Sequence, residues 1–172
     1  CFPIPASQKI ADFRYKASMT VPNQIIKDEE NYGILPTAGN GNCIVELDNK
    51  EHYRKFAEFM IKEGFLIVES PHGWHMPVVS LGGAVSKIEL FDYEIQSKKI
   101  VEIQGYDHYC VGAESMIIDT DDSELTYTNR GSDKIWSGSG RDFHDFVDTI
   151  CQKLKVESRK KNNNSSYQNL RD

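Results

Sequence analysis

The stretch Asn42-Cys43-Ile44-Val45-Glu46-Leu47-Asp48-Asn49 decides how the rest of the chain is read. Ile44, Val45 and Leu47 follow a Gly/Asn turn, Gly39-Asn40-Gly41-Asn42, and predict a short strand. Side chains alternate across a strand, so Glu46 and Asp48, two residues apart, are expected on one face. Neighbouring carboxylates repel, and a divalent cation relieves the repulsion; hard oxygen donors suit Mg²⁺ or Mn²⁺. The competing reading is a solvated strand end running into a helix, with Asp48 or Asn49 as its N-cap.

Downstream of this stretch, Glu51 to Glu63 carries Tyr53, Phe56, Ala57, Phe59 and Met60 at helical spacing, with Gly64 as C-terminal cap. Phe65 to Glu69 has the composition of a buried strand, so residues 43–69 predict a β-α-β unit around a parallel strand pair. Upstream, Tyr32-Gly33-Ile34-Leu35 predicts a strand that forms a hairpin with the carboxylate strand through Pro36 to Asn42. Further strands are expected after the turn Ser70-Pro71-His72-Gly73, at Lys87 to Tyr93, at Lys99 to Gln104, and in shorter form at Tyr109 to Ser115 and Ser123 to Tyr127. Asp142 to Val156 predicts the second good helix, with Phe143, Phe146, Val147, Ile150 and Leu154 on one side. The first 30 residues are mixed, with a basic cluster at Lys9, Arg14 and Lys16 and a short helix expected from Asn23 to Glu30. These elements define an α+β (mixed α/β) domain over 1–156, a mixed sheet with helices packed on it, followed by a disordered tail or linker over 157–172.

The length suits one domain with its own core. A net charge of −6 is awkward for a nucleic-acid binder, which must then use a local groove or borrow positive charge from metal ions or another domain. Cys1, Cys43, Cys110 and Cys151 form no CxxC pair, which argues against a structural zinc site and for free thiols in an intracellular, cytoplasmic setting. No apolar run approaches a membrane span and no basic-then-apolar leader opens the chain, so no membrane partner is expected. Because it opens at Cys1 without a Met, the chain is expected to be a piece of something longer.

Two further segments carry chemistry. Ser70-Pro71-His72-Gly73-Trp74-His75 brings a hydroxyl, backbone N–H groups and two imidazoles to one turn, the equipment of an anion site. Glu102, in Val101-Glu102-Ile103-Gln104, is a solvated strand residue unless it serves as a third ligand. Taken in order, the acidic-x-acidic pair, the Ser/Gly turn ending in His75 and the later acid Glu102 resemble the primase-polymerase (prim-pol) domain of the archaeo-eukaryotic primase superfamily, plasmid and viral type. Phe2-Pro3-Ile4-Pro5, Asn31-Tyr32-Gly33-Ile34 and Tyr109-Cys110-Val111-Gly112-Ala113-Glu114-Ser115 are similar to flanking stretches of that family, so the resemblance runs from about residue 2 to 127. It departs in its Glu-x-Asp pair, where Asp-x-Asp or Asp-x-Glu is usual, and in Glu102, where Asp is common.

The resemblance implies an RRM-like core and a DNA primase/polymerase activity in which Glu46, Asp48 and Glu102 are catalytic and hold two Mg²⁺ or Mn²⁺ ions. It gives the nucleotide phosphates to His75 with Ser70 and His72; the Gly turn favours His75, while Ser70-x-His72 is itself a Ser-x-His. The implied partners are an NTP or dNTP, a DNA template and primer, and a helicase or helical primase domain of a longer parent in an archaeal, plasmid or viral replication context. Of Lys98 and Lys99, at most one can face the site. Trp74 either stacks a base or fills the core. The competing functions are a catalytically inactive nucleotide- or nucleic-acid-binding module, a metal-dependent nuclease, and a plain α/β scaffold with solvated acids.

Overall fold

Apolar alternation along the carboxylate stretch produces the strand at the centre of the main sheet. The structure, a computed structural model, describes residues 2–4, 31–34, 36, 41–106, 108–119 and 121–158. In chain order the elements are β1 (Phe2–Ile4), β2 (Asn31–Ile34), β3 (Asn42–Leu47), α1 (Arg54–Lys62), β4 (Val68–Glu69), β5 (Trp74–Ser80), β6 (Ile88–Asp92), β7 (Ser97–Gln104) and β8 (Cys110–Val111). They continue with β9 (Met116–Ile118), β10 (Glu124–Thr126), β11 (Thr128–Asn129), β12 (Trp136–Gly138), α2 (Gly140–Leu154) and β13 (Val156–Ser158). An 8-stranded sheet runs β11-β4-β5-β3-β7-β6-β13, with β12 also paired to β5. Every pairing in it is antiparallel except β12 with β5. Smaller sheets join β1-β2-β8 and β9-β10.

One face of the large sheet carries the core. Cys43, Val45 and Leu47 of β3 pack with Met76 and Val78 of β5, Leu90 of β6, and Val101 and Ile103 of β7. Against them lie Tyr53, Phe56, Ala57 and Met60 from α1 and its approach, and Phe143, Val147, Ile150 and Leu154 from α2. Burial of each large apolar side chain contributes roughly 1.5–3 kcal/mol, enough in sum to hold two amphipathic helices that would be marginal alone. Trp74 belongs to this core, with its indole Nε1–H donating to the Lys50 carbonyl at 2.9 Å, so of the two expectations for it core filling holds.

Both helices end as local chemistry requires. Gly64, at φ 83°, closes α1: its N–H reaches the Ile61 carbonyl at 2.9 Å and that of Phe65 reaches Met60 at 3.1 Å, a Schellman pairing. α2 begins two residues before the expected start, because Ser139 and Asp142 form a reciprocal capping box. It stops at Lys155, which adopts a left-handed φ of 55°, so Val156 begins β13 instead of ending the helix. Glu157 and Ser158, expected in the tail, are therefore paired with β6.

Two topological expectations are corrected. β3 and β4 are parallel in direction but not adjacent, because β5 lies between them and pairs antiparallel with both. The four-residue turn 70–73 returns the chain directly onto β4, and β5 is buried at every position but Val79, which suits an interior strand. Nor does β2 form a hairpin with β3; it pairs with β1 and β8. The Asn31 side chain holds β2 there, donating to the Met116 carbonyl at 2.7 Å and accepting from the Met116 N–H at 2.9 Å. The expected helix at 23–30, the basic cluster Lys9, Arg14 and Lys16, and 159–172 lie outside the described residues. Among the described residues no helix is long and apolar enough to cross a membrane.

Candidate metal centre

Strand alternation turns Glu46 away from the helices, and the sheet register then lines up a row of polar side chains. Glu46 is directly opposite His75 on β5 and Glu102 on β7, and Glu102 is opposite Glu89 on β6. Glu89, Glu102, Glu46 and His75 thus form one cross-strand row over four adjacent strands. Neighbouring strands lie about 4.7–4.9 Å apart, so like charges in such a row repel unless cations or donors intervene.

The donors are present. Gln104 Nε2 donates to Glu46 Oε2 and to Glu102 Oε2, each at 2.6 Å. Lys87 Nζ is 2.9 Å from Glu102 Oε1 and 3.8 Å from Glu89 Oε1. On the other side of Glu46, His75 Nε2 is 3.4 Å from Glu46 Oε1. His75 is buried, and its Nδ1 has no hydrogen-bond partner among the described residues.

Asp48 lies just past the end of β3 with its side chain exposed, and its backbone N–H donates to the Ile100 carbonyl at 2.6 Å. Neither Asp48 nor Asn49 is the N-cap of α1, which is Tyr53 without a side-chain cap bond; Asn49 Oδ1 accepts from the His52 N–H at 3.0 Å in the turn before the helix. One ligand atom each from Glu46, Asp48 and His75 lie within 4.8 Å of one another. Two carboxylates and an imidazole are a donor set for a divalent ion, and the ring nitrogen moves the preference from Mg²⁺ towards Mn²⁺ or Zn²⁺.

The turn before β5 is built against this site. A Cβ on Gly73 would lie 1.8 Å from the Leu47 carbonyl oxygen, so only glycine lets the turn seat under the end of β3. Ser70 is buried, and its Oγ accepts from the Gly73 N–H at 3.0 Å while its own N–H reaches the Gly73 carbonyl at 2.9 Å. Hydroxyl and amide are thus engaged with each other within the turn. His72 is exposed, and its carbonyl accepts from the Lys50 N–H at 3.0 Å.

Of the residues singled out from sequence, Glu46, Asp48 and His75 therefore come together, with Glu102 adjoining Glu46 through Gln104. Ser70 shapes the turn, and His72 stands at its exposed tip. Lys98 and Lys99 are in β7, with side chains outside the described set. Lys87, Glu89, Gln104 and Tyr127 were not foreseen at the site. The Tyr127 ring is 5.9 Å from that of His75, and its hydroxyl is pushed up to about 12, first by burial and then by surrounding groups that include Glu46 and Asp48. The period of two from Glu102 pointed to Gln104, and the same period joins Lys87 to Glu89. Tyr127 had no comparable signal.

No protein-family model matches the chain, and no curated protein matches it in sequence.

Proposed function

We propose that the chain is a metal-dependent nucleotidyltransferase of the prim-pol type, acting on an NTP or dNTP with a DNA template and primer. The observation that carries the reading is the convergence of separate segments. The acidic pair, the histidine after the Gly turn and the later acid lie far apart in sequence, yet Glu46, His75 and Glu102 share one row on adjacent strands. The strand order supports the same reading: β3 lies between β5 and β7, with α1 crossing from β3 to β4, as the first strand of an RRM-like sheet lies between its third and fourth. β6 stands where the second crossover helix of that pattern would be.

Glu46, Asp48 and His75 would hold the cation. When bound, it neutralises triphosphate charge and lowers the pKa of an attacking hydroxyl. Glu46 and Asp48 supply the negative charge that retains it, and His75 acts as a ligand rather than a phosphate contact. Exposed His72 is then the ring open to a phosphate. Glu46 is flanked by the buried side chains of His75 and Glu102, and its interaction with a cation is screened less there than on an open surface.

One observation favours a second reading, an inactive nucleotide-binding module: the third acid, Glu102, is already neutralised by Lys87. Primer extension with Mn²⁺ or Mg²⁺ separates the two. The expected result is extension by the wild type, loss in Asp48→Ala and His75→Ala, and unchanged circular dichroism in both variants. Mn²⁺-dependent nucleotide binding without extension would shift the assignment to the binding module, and degradation of the oligonucleotide without added nucleotide to a nuclease. Full activity in Asp48→Ala would remove the proposed site.

A further inference from the structure

We infer that this centre takes a single divalent cation, and that Lys87 supplies at Glu102 the fixed positive charge that a second ion would otherwise bring. The inference rests on the metal-centre reading and deepens it, and it follows from how each carboxylate oxygen in the row is used.

Glu102 is 7% exposed, and both its oxygens are engaged: Oε1 faces the Lys87 ammonium at 2.9 Å and Oε2 accepts from the Gln104 amide at 2.6 Å. The same Gln104 nitrogen holds Glu46 Oε2 at 2.6 Å. The space between the two carboxylates is therefore filled by an N–H₂ group, which donates hydrogens and does not ligate metal. Its orientation follows from chemistry, since the amide oxygen in that place would face two carboxylate oxygens. Gln104 Oε1 is left buried without a hydrogen-bond partner among the described residues, so the amide is held by its nitrogen alone.

Glu46 is divided between two neighbours. Oε2 belongs to the Gln104 side, whereas Oε1 faces His75 at 3.4 Å, and Asp48 brings its oxygen within the same 4.8 Å cluster. A cation binding Glu46 on the Oε1 side meets Nε2 of an imidazole that is 6% exposed, whose other nitrogen, Nδ1, has no hydrogen-bond partner among the described residues. On the Oε2 side it would have to expel the Gln104 amide, and an ion at Glu102 Oε1 would have to expel the Lys87 ammonium.

Mn²⁺ stoichiometry on the 172-residue chain tests this. Calorimetric titration, with electron paramagnetic resonance to count bound ions, is expected to give one Mn²⁺ per wild-type chain. Lys87→Met keeps the length of the stem and removes the charge, and it is expected to bind a second Mn²⁺. Two ions on the wild type would overturn the inference and leave the metal centre standing. One ion on both proteins would overturn the role given to Lys87. Absence of Mn²⁺ binding by the folded wild type would remove the metal-centre reading beneath it, so the two failures are distinguishable.

Discussion

Replacing Tyr53 by Phe tests the reasoning at a place where fold and site can be separated. Asp92 has no exposed surface, yet it is ringed by donors: the Tyr53 hydroxyl at 2.6 Å, the Glu94 and Ile95 N–H groups at 2.8 and 3.1 Å, and His52 Nε2 at 3.1 Å. Burial works to raise its carboxyl pKa, but the Tyr53 hydroxyl and the two amides, with His52, outweigh it and hold it below the usual value. A depressed folded pKa means stability that is fully present above the unfolded value of about 3.9 and is lost as pH falls through the folded pKa. Tyr53→Phe deletes one donor to a charged acceptor, a change of about 1.5–3 kcal/mol. For a chain of this length each kcal/mol moves Tm by about 2–4 °C, so a fall of roughly 3–12 °C is expected at pH 7. The deficit should shrink at pH 3, where the wild type is losing the same contribution. Thermal unfolding by circular dichroism at the two pH values measures both. Mn²⁺ binding at pH 7 should be unchanged, because Tyr53 packs in the helix-side core. An equal Tm at pH 7 would refute the argument, and so would a deficit as large at pH 3 as at pH 7, since the hydroxyl would then act through packing and not through the carboxylate.

Gly73→Ala should damage the site through the backbone: its Cβ would meet the Leu47 carbonyl oxygen at 1.8 Å, displacing the segment that carries Asp48. A stability loss of about 1–3 kcal/mol is expected together with weaker Mn²⁺ binding by titration. Gly64→Ala is the control, since its Cβ has open space and only the positive φ opposes it, so a loss of about 1–2 kcal/mol with unchanged Mn²⁺ affinity is expected. Ser139→Ala removes the side-chain half of the α2 capping box and should lower stability by about 1 kcal/mol in urea unfolding, with no effect on metal binding.

The two helices were legible because their apolar stripes repeat at helical spacing over several turns and their ends carry recognisable chemistry. Gly64 closed α1 as expected, whereas the Ser139–Asp142 box moved the start of α2 outside the apolar stripe that revealed the helix. Strands β5, β6 and β7 were found near their observed bounds, but β9, β11, β12 and β13 were not. The missed strands have only two or three residues each, too few for alternation to show. Pairing was the harder problem. A β-α-β pattern is compatible with adjacent parallel strands or with a third strand between them, and the choice lies in β5, which the turn 70–73 folds back between β4 and β3.

The same distinction explains what was visible of the candidate centre. A period of two tells which face a side chain takes, so the shared face of Glu46 and Asp48 could be argued from their spacing alone. It does not give register: a slip of one residue along β7 would carry Glu102 to the helix side and replace it with Val101 or Ile103. Register here follows from side chains distant in sequence, since Val101 and Ile103 must reach the core that Val45 and Leu47 enter. Burial of those apolar residues thus keeps Glu102 on the face of Glu46, and the repulsion where the observed register sets the two opposite each other has to be relieved locally. Lys87 and Gln104 relieve it, which is why their removal should change the number of cations the row accepts before it changes the fold.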